Sequence, residues 1–159
     1  MLTVQELKRL LHYEPATGIF TWLVRAARRI HLGDRAGTPS GFGYVQITID
    51  GIHYYAHRLA WVYMTGVWPI ETDHRNGERD DNRWKNLREV THAINQQNQR
   101  KARSNNQVGF LGVSPREKQF RAQITIDGKN LSLGVHVTPE QAHVAYIVAK
   151  RLLHPGCTI

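Results

Sequence analysis

The hexapeptide Gln-Ile-Thr-Ile-Asp-Gly occurs twice in this chain, at residues 46–51 and 123–128. Each copy is a run of alternating apolar and polar residues ending in Asp-Gly. That pair readily takes the two left-handed conformations of a tight hairpin turn. Each copy therefore commits its neighbourhood to antiparallel strands: residues 44–49 must run back through 52–55, and 119–126 through 130–134. The flanks differ, so these are two uses of one turn rather than a domain-length repeat.

The helices are marked by their ends. Thr3 and Glu6 form a capping box for a helix over residues 3–12, with Leu2 and Leu7 as its hydrophobic staple and Leu7, Leu10 and Leu11 as its apolar stripe. A turn at 14–18 leads into a strand over 19–23. A second helix spans 57–65 and stops at Gly66, with Pro69 beyond it. Short strands at 70–73 and 87–90 flank a long loop. Thr91 then caps a helix running through Ile94, Asn95 and Asn98 toward Arg103. Strands at 110–114, 119–126 and 130–134 precede a last helix opened by Thr138-Pro139-Glu140-Gln141, whose stripe is Ala142, Ala145, Tyr146, Ala149, Leu152 and Leu153. Packing on the three strands is the role expected of that stripe. The fold class is α+β.

Residues 25–42 form a basic, Gly-rich connector carrying Arg25, Arg28, Arg29 and Arg35. It reads equally as a solvated loop and as an arm that touches phosphate. Residues 101–107 are polar and basic and read as a linker. The expected organisation is residues 1–42 as an N-terminal helix, strand and connector, 43–103 as a central unit, and 108–156 as a C-terminal unit.

Composition narrows the partners. The chain has 159 residues, enough for one domain or two small ones, and its 41% hydrophobic content excludes global disorder. Its net charge is +8, from 21 Lys and Arg against 13 Asp and Glu. This favours a polyanion. Cys157 is the single cysteine, which excludes an intramolecular disulfide and a Cys-rich zinc site. No apolar run reaches the roughly 18 residues that span a bilayer. The first residues lack the order of a signal peptide. A cytoplasmic location and no membrane partner are expected.

Between the two central strands lie Asp73-His74-Arg75-Asn76-Gly77 and Asp81-Asn82-Arg83-Trp84-Lys85-Asn86, with Asn95 in the following helix. Hydrolysis of a phosphodiester needs a base for the attacking water and stabilisation of the charge on phosphorus and on the leaving oxygen. A histidine near its ordinary pKa meets the first need at neutral pH. A divalent cation meets the others. His74 is the candidate base. Asn86 can accept from one ring N–H of His74 and leave the other nitrogen free. Asp73 and the amide oxygen of Asn95 can join at a metal. One carboxylate and one amide suit Mg²⁺ or Mn²⁺ completed by phosphate oxygens, not zinc. Asn76, Asn82 and Asn98 read as support for turns and helix ends.

Asp-His-X-Asn-Gly, Asp-Asn-Arg-X-X-Asn-Leu-Arg and Thr-X-X-X-Asn-X-X-Asn together resemble the HNH endonucleases, particularly the phage homing type, over roughly residues 44–100. The segment His57-Arg58-Leu59-Ala60-Trp61 also matches what these proteins carry before the motif. The resemblance implies a ββα-metal fold. It also implies His74 as general base, Asn86 as the residue orienting it, and Asp73 and Asn95 as metal ligands. Asn95 stands where the family name has histidine, a variant of the homing branch. Arg88 is a candidate phosphate contact.

Phe110-Leu111-Gly112-Val113, Phe120-Arg121-Ala122-Gln123-Ile124, Leu133-Gly134 and Thr138-Pro139-Glu140-Gln141-Ala142 resemble the ethylene-response-factor type DNA-binding domain over about residues 108–156. That family lays a three-stranded sheet in the major groove with a helix packed behind. Arg116, Lys118, Arg121, Gln123 and Lys129 are the candidates for the DNA face. The tryptophans usual on the binding strands are absent here, so base preference does not transfer.

The expected activity is metal-dependent cleavage of double-stranded DNA, by a monomer that nicks or a homodimer that cuts both strands. The rivals are a DNA-binding regulator with an inactive nuclease domain and an RNA-directed protein.

Overall fold

Both Asp-Gly turns form as the hexapeptides require. Ile49 pairs with Ile52 and Ile126 with Lys129, leaving two-residue loops. Asp50, Gly51, Asp127 and Gly128 all have positive φ, of 50°, 78°, 48° and 77°. The structure, a computed structural model, describes residues 2–102 and 105–159. Arg103 and Ser104, where one helix was expected to end and the linker to run, lie outside the described residues.

The chain divides into two compact units, Met1–Thr91 and His92–Ile159. The first holds α1 (Val4–Leu10), β1 (Leu11–Glu14), β2 (Ile19–Trp22), β3 (Arg35–Ala36), β4 (Thr38–Pro39), β5 (Val45–Ile49), β6 (Ile52–Tyr55), α2 (Ala56–Thr65), β7 (Glu71–His74) and β8 (Leu87–Val90). Its antiparallel sheets are β1-β2-β3, β4-β5-β6 and the ribbon β7-β8. The second unit holds α3 (His92–Gln97), β9 (Val113–Arg116), β10 (Gln119–Ile126), β11 (Lys129–His136) and α4 (Pro139–Leu153), with the sheet ordered β11-β10-β9. Helices beside small antiparallel sheets make this an α+β protein. No described helix is long and apolar enough to cross a membrane.

The Thr3–Glu6 capping box closes in both directions. The first helix nevertheless ends at Leu10, short of the expected His12. Leu11 turns extended (φ −134°, ψ 139°) and pairs with Trp22. As a strand, 11–14 buries Leu11 and Tyr13 on one side, and the Tyr13 ring packs 4.7 Å from Phe20. These residues share one core with Leu7, Ile47, Leu59, Val62 and Leu87. The N-terminal helix and hairpin are therefore built into the same core as the central strands. The connector is also more ordered than expected, because β3 pairs with β2 and β4 with β5.

In the second unit, the first strand starts at Val113 rather than Phe110. Gly112 has φ +75°, and a Cβ there would fall on the Tyr146 ring. The expected packing of the last helix is observed. Ala122 and Ile124 of β10 are buried, in clusters with Ala142, Tyr146 and Ala149 of α4. Thr138 caps that helix by accepting from Gln141 N–H at 3.3 Å.

Candidate active site

Strand β7 sends its last two residues to opposite faces of the ribbon, because successive side chains in a strand alternate. Asp73 stands opposite Arg88 of β8, and His74 opposite Leu87. Directly opposed residues share a face. Asp73 Oδ2 accepts from Arg88 Nη2 at 2.7 Å and Nε at 3.0 Å. Both side chains are largely buried, 9% and 15% exposed. Arg88, a candidate phosphate contact by sequence, thus lies on the carboxylate of the candidate metal ligand.

His74 is buried on the other face. Its Nε2 lies 3.3 Å from Asn82 Oδ1. Asn82 Nδ2 donates to the Asp80 carbonyl at 3.1 Å, which fixes that amide's orientation and leaves its oxygen toward the ring. An amide oxygen only accepts, so the ring proton sits on Nε2 and the lone pair on Nδ1. Burial lowers the pKa of His74, against the Asn82 bond and the charges of Asp73, Asp81 and Asp80. The ring is therefore uncharged at neutral pH, the state a base requires. His57 packs its ring edge-on at 5.0 Å, and Tyr44 lies 6.0 Å away. Burial, then His74 and Arg58, push the pKa of His57 down to about 3. Among the described residues, nothing hydrogen-bonds the buried Nδ1 of His57.

Asn86 does something other than expected. Its Oδ1 accepts from Asn76 N–H at 3.0 Å, and its Nδ2 donates to the Asp81 carbonyl at 2.8 Å. Both partners belong to the loop between β7 and β8, so Asn86 braces that loop. The position at the His74 ring belongs to Asn82. The reason is local: Trp84–Asn86 form a 3-10 turn, and the buried Asn86 amide is turned onto loop backbone. Arg75 N–H to the Asn86 carbonyl, 2.8 Å, continues the ribbon past His74. Asp81 adds a further tie, accepting from Asn76 Nδ2 at 2.7 Å and from Arg83 Nε at 2.7 Å. The Arg83 bonds, above all, hold its carboxyl down at about 2.

The N-terminal hairpin supports the same loop. Tyr13 Oη donates to the Asn82 carbonyl at 2.6 Å, and Trp84 N–H to the Pro15 carbonyl at 3.0 Å. Gly18 has φ +75°, and its missing Cβ would collide with the backbone at Asn82 and Arg83. On the other side, Arg79 donates to the Phe42 carbonyl at 2.9 Å and covers the Tyr44 ring. Sequence reasoning missed Asn82 and Tyr13 as site residues. The spacing of Asn82 does not separate it from the neighbouring turn asparagines, and Tyr13 is brought in only by tertiary packing.

Asn95 lies half-buried in α3, within the second unit. Among the described residues no three His, Cys, Asp or Glu gather into a metal-binding group. The oxygens of Asp73 and Asn95 are hard donors, right in kind for Mg²⁺ or Mn²⁺ and too few to form a cage alone.

Among the candidate DNA contacts of the first unit, Arg25, Arg28, Arg29 and Arg35 are exposed. In the second unit, Arg116, Lys118 and Lys129 are exposed, while Arg121 and Gln123 are half-buried. Arg121 and Gln123 alternate with the buried Ala122 and Ile124, so they occupy the sheet face turned away from α4.

Comparison with curated proteins and with solved structures finds no match. Residues 54–97 match the family model described as HNH endonuclease. The segment built around His74, Asn82 and Asn86 thus lies within the stretch that is similar to the HNH endonucleases.

Proposed function

We propose that this chain is a metal-dependent endonuclease that hydrolyses phosphodiester bonds in duplex DNA, of the site-specific homing type. The observation that carries this reading is His74, a buried, uncharged imidazole held at Nε2 within the segment that matches the HNH endonucleases. Such a ring takes a proton from an attacking water at Nδ1. Asn82 orients the ring, and Asn86 keeps the loop closed around it.

Asp73 and Asn95 are the proposed donors to Mg²⁺ or Mn²⁺, which when bound stabilises the charge on the phosphate and on the leaving oxygen. Arg88 already bonds the Asp73 oxygen, so a cation and the guanidinium compete for it. The exposed arginines of residues 25–35 are assigned to phosphates. The sheet face of Arg116, Lys118, Arg121, Gln123 and Lys129 is assigned to DNA in the manner of the ethylene-response-factor domains. Arginine and glutamine there can read base edges, while lysine holds phosphate.

The test is nicking of supercoiled plasmid. The protein should nick in Mg²⁺ or Mn²⁺ and stop in EDTA. His74→Ala should lose cleavage and keep DNA binding; equal loss of both rejects the base assignment. The Asp73–Arg88 pair favours a second reading, a DNA-binding regulator whose nuclease domain is inactive. Duplex binding without cleavage in either metal would establish that reading.

A further inference from the structure

Beside the β7-β8 ribbon, the first unit has an open groove of about 500 Å³, lined by Trp61, Arg75, Trp84, Lys85, Leu87 and Arg88. Its size falls in the range of about 300–1,000 Å³ usual for ligand sites. The two indoles lie 5.0 Å apart at 45°, and both are only partly buried. Three cations border them. The acid on the rim, Glu89, turns its carboxylate to the Ile70 N–H at 3.1 Å. Lys85 is exposed. Arg88 reaches from this groove to Asp73.

Aromatic faces interleaved with cations are the chemistry of an unstacked nucleobase and its flanking phosphates. A base stacks on indole whatever its sequence, and the cations follow the backbone. A fully paired duplex has no free base face to offer. We propose that the Trp61–Trp84 groove binds an unpaired nucleotide of the DNA strand being processed, its phosphates on Lys85 and Arg75. The identity of the polymer as DNA rests on the nuclease reading above. The groove is a second binding element, lined wholly by residues of the first unit. Since Arg88 belongs both to the groove and to the Asp73 pair, strand binding acts on the carboxylate proposed for the metal.

The test is binding, measured without divalent metal on the full chain carrying His74→Ala, so that it does not depend on cleavage. The probes are a fully paired DNA duplex, the same duplex with one unpaired nucleotide, and an RNA strand of the same sequence. The duplex with the unpaired nucleotide should bind more tightly than the paired one and quench tryptophan fluorescence. Trp84→Ala should cost about tenfold in affinity for the unpaired probe, within the range for loss of one stacked base, and leave the paired duplex within about twofold. Trp84→Phe should retain most of the preference, and Lys85→Ala, at an exposed position, should weaken the unpaired probe and flatten its salt dependence. Equal effects on both duplexes, no preference in the parent protein, or tighter binding of RNA would overturn the proposal. If the parent chain fails to nick plasmid while the unpaired-nucleotide preference persists, the nuclease reading falls and the groove stands.

Discussion

Replacing Asn86 with alanine tests the loop brace. The side chain is 6% exposed and makes two hydrogen bonds, to Asn76 N–H at 3.0 Å and to the Asp81 carbonyl at 2.8 Å. A hydrogen bond of this kind contributes about 1 kcal/mol net, and a buried partner left unmade costs about 1–3 kcal/mol. With water reaching part of the opened loop, the expected loss is about 2–4 kcal/mol, a large fraction of the roughly 5–15 kcal/mol that holds a domain together. Urea unfolding should show it as a lower midpoint with unchanged slope. Asn86→Asp separates the brace from the ring-orienting role expected by sequence. A carboxylate still accepts, so it would preserve an acceptor for His74. It also puts a second oxygen against the Asp81 carbonyl, so the brace requires it to be nearly as damaging as alanine. An Asn86→Asp protein with parental stability and cleavage, or an alanine variant within about 0.5 kcal/mol of the parent, refutes the assignment.

Other perturbations bear on neighbouring contacts. Gly18→Ala places a methyl against the backbone of Asn82 and Arg83 at a positive φ, and should destabilise the first unit by more than about 2 kcal/mol and slow cleavage; a parental melting curve would deny that the hairpin touches the loop. Arg88→Ala leaves the Asp73 carboxylate largely buried without its guanidinium, a loss of about 3 kcal/mol by the usual cost of breaking a buried pair. Millimolar Mn²⁺ should recover part of that loss by ligand linkage, and no recovery would argue against Asp73 as a metal donor. His57 has a folded pKa of about 3 against 6.5 for a free imidazole, so the unfolded chain takes up its proton first. The stability due to this group is complete above about pH 6.5 and is lost as pH falls toward 3, by at most about 1.4 kcal/mol per pH unit. A His57→Leu variant should reduce the slope in that window, and an unchanged slope would assign the acid sensitivity elsewhere.

How much was legible in the sequence follows from the range of the forces involved. Caps and turns act within a few residues, and they came through. The Thr3–Glu6 box, the two Asp-Gly hairpins and the Thr138 cap are all formed. Strand β8 falls on residues 87–90 as expected, and β7 lies within one residue of its expected place. His74 and Asn86 fall at the two ends of the loop joining β7 and β8, where their spacing places them, and Asn95 falls in the helix that follows. The misplaced boundaries have tertiary causes. Residues 11–12 suit a helix by pattern, but pairing with β2 claims them for a strand. Residues 110–112 suit a strand, but the backbone must clear the Tyr146 ring at Gly112.

The sequence alone determined that this is a basic α+β chain with antiparallel hairpins and an Asp-His pair at a strand end. Each of those features is written in neighbouring residues or in total charge. Only the tertiary structure decided which asparagine meets the His74 ring, since Asn76, Asn82 and Asn86 sit in one loop and are equivalent in chemistry. Tyr13, from 69 positions away, holds the Asn82 carbonyl. The bracing bonds of Asn86 shape the same loop. Likewise only the folded ribbon set Arg88 on Asp73, because cross-strand partners are chosen by register and not by proximity in the chain.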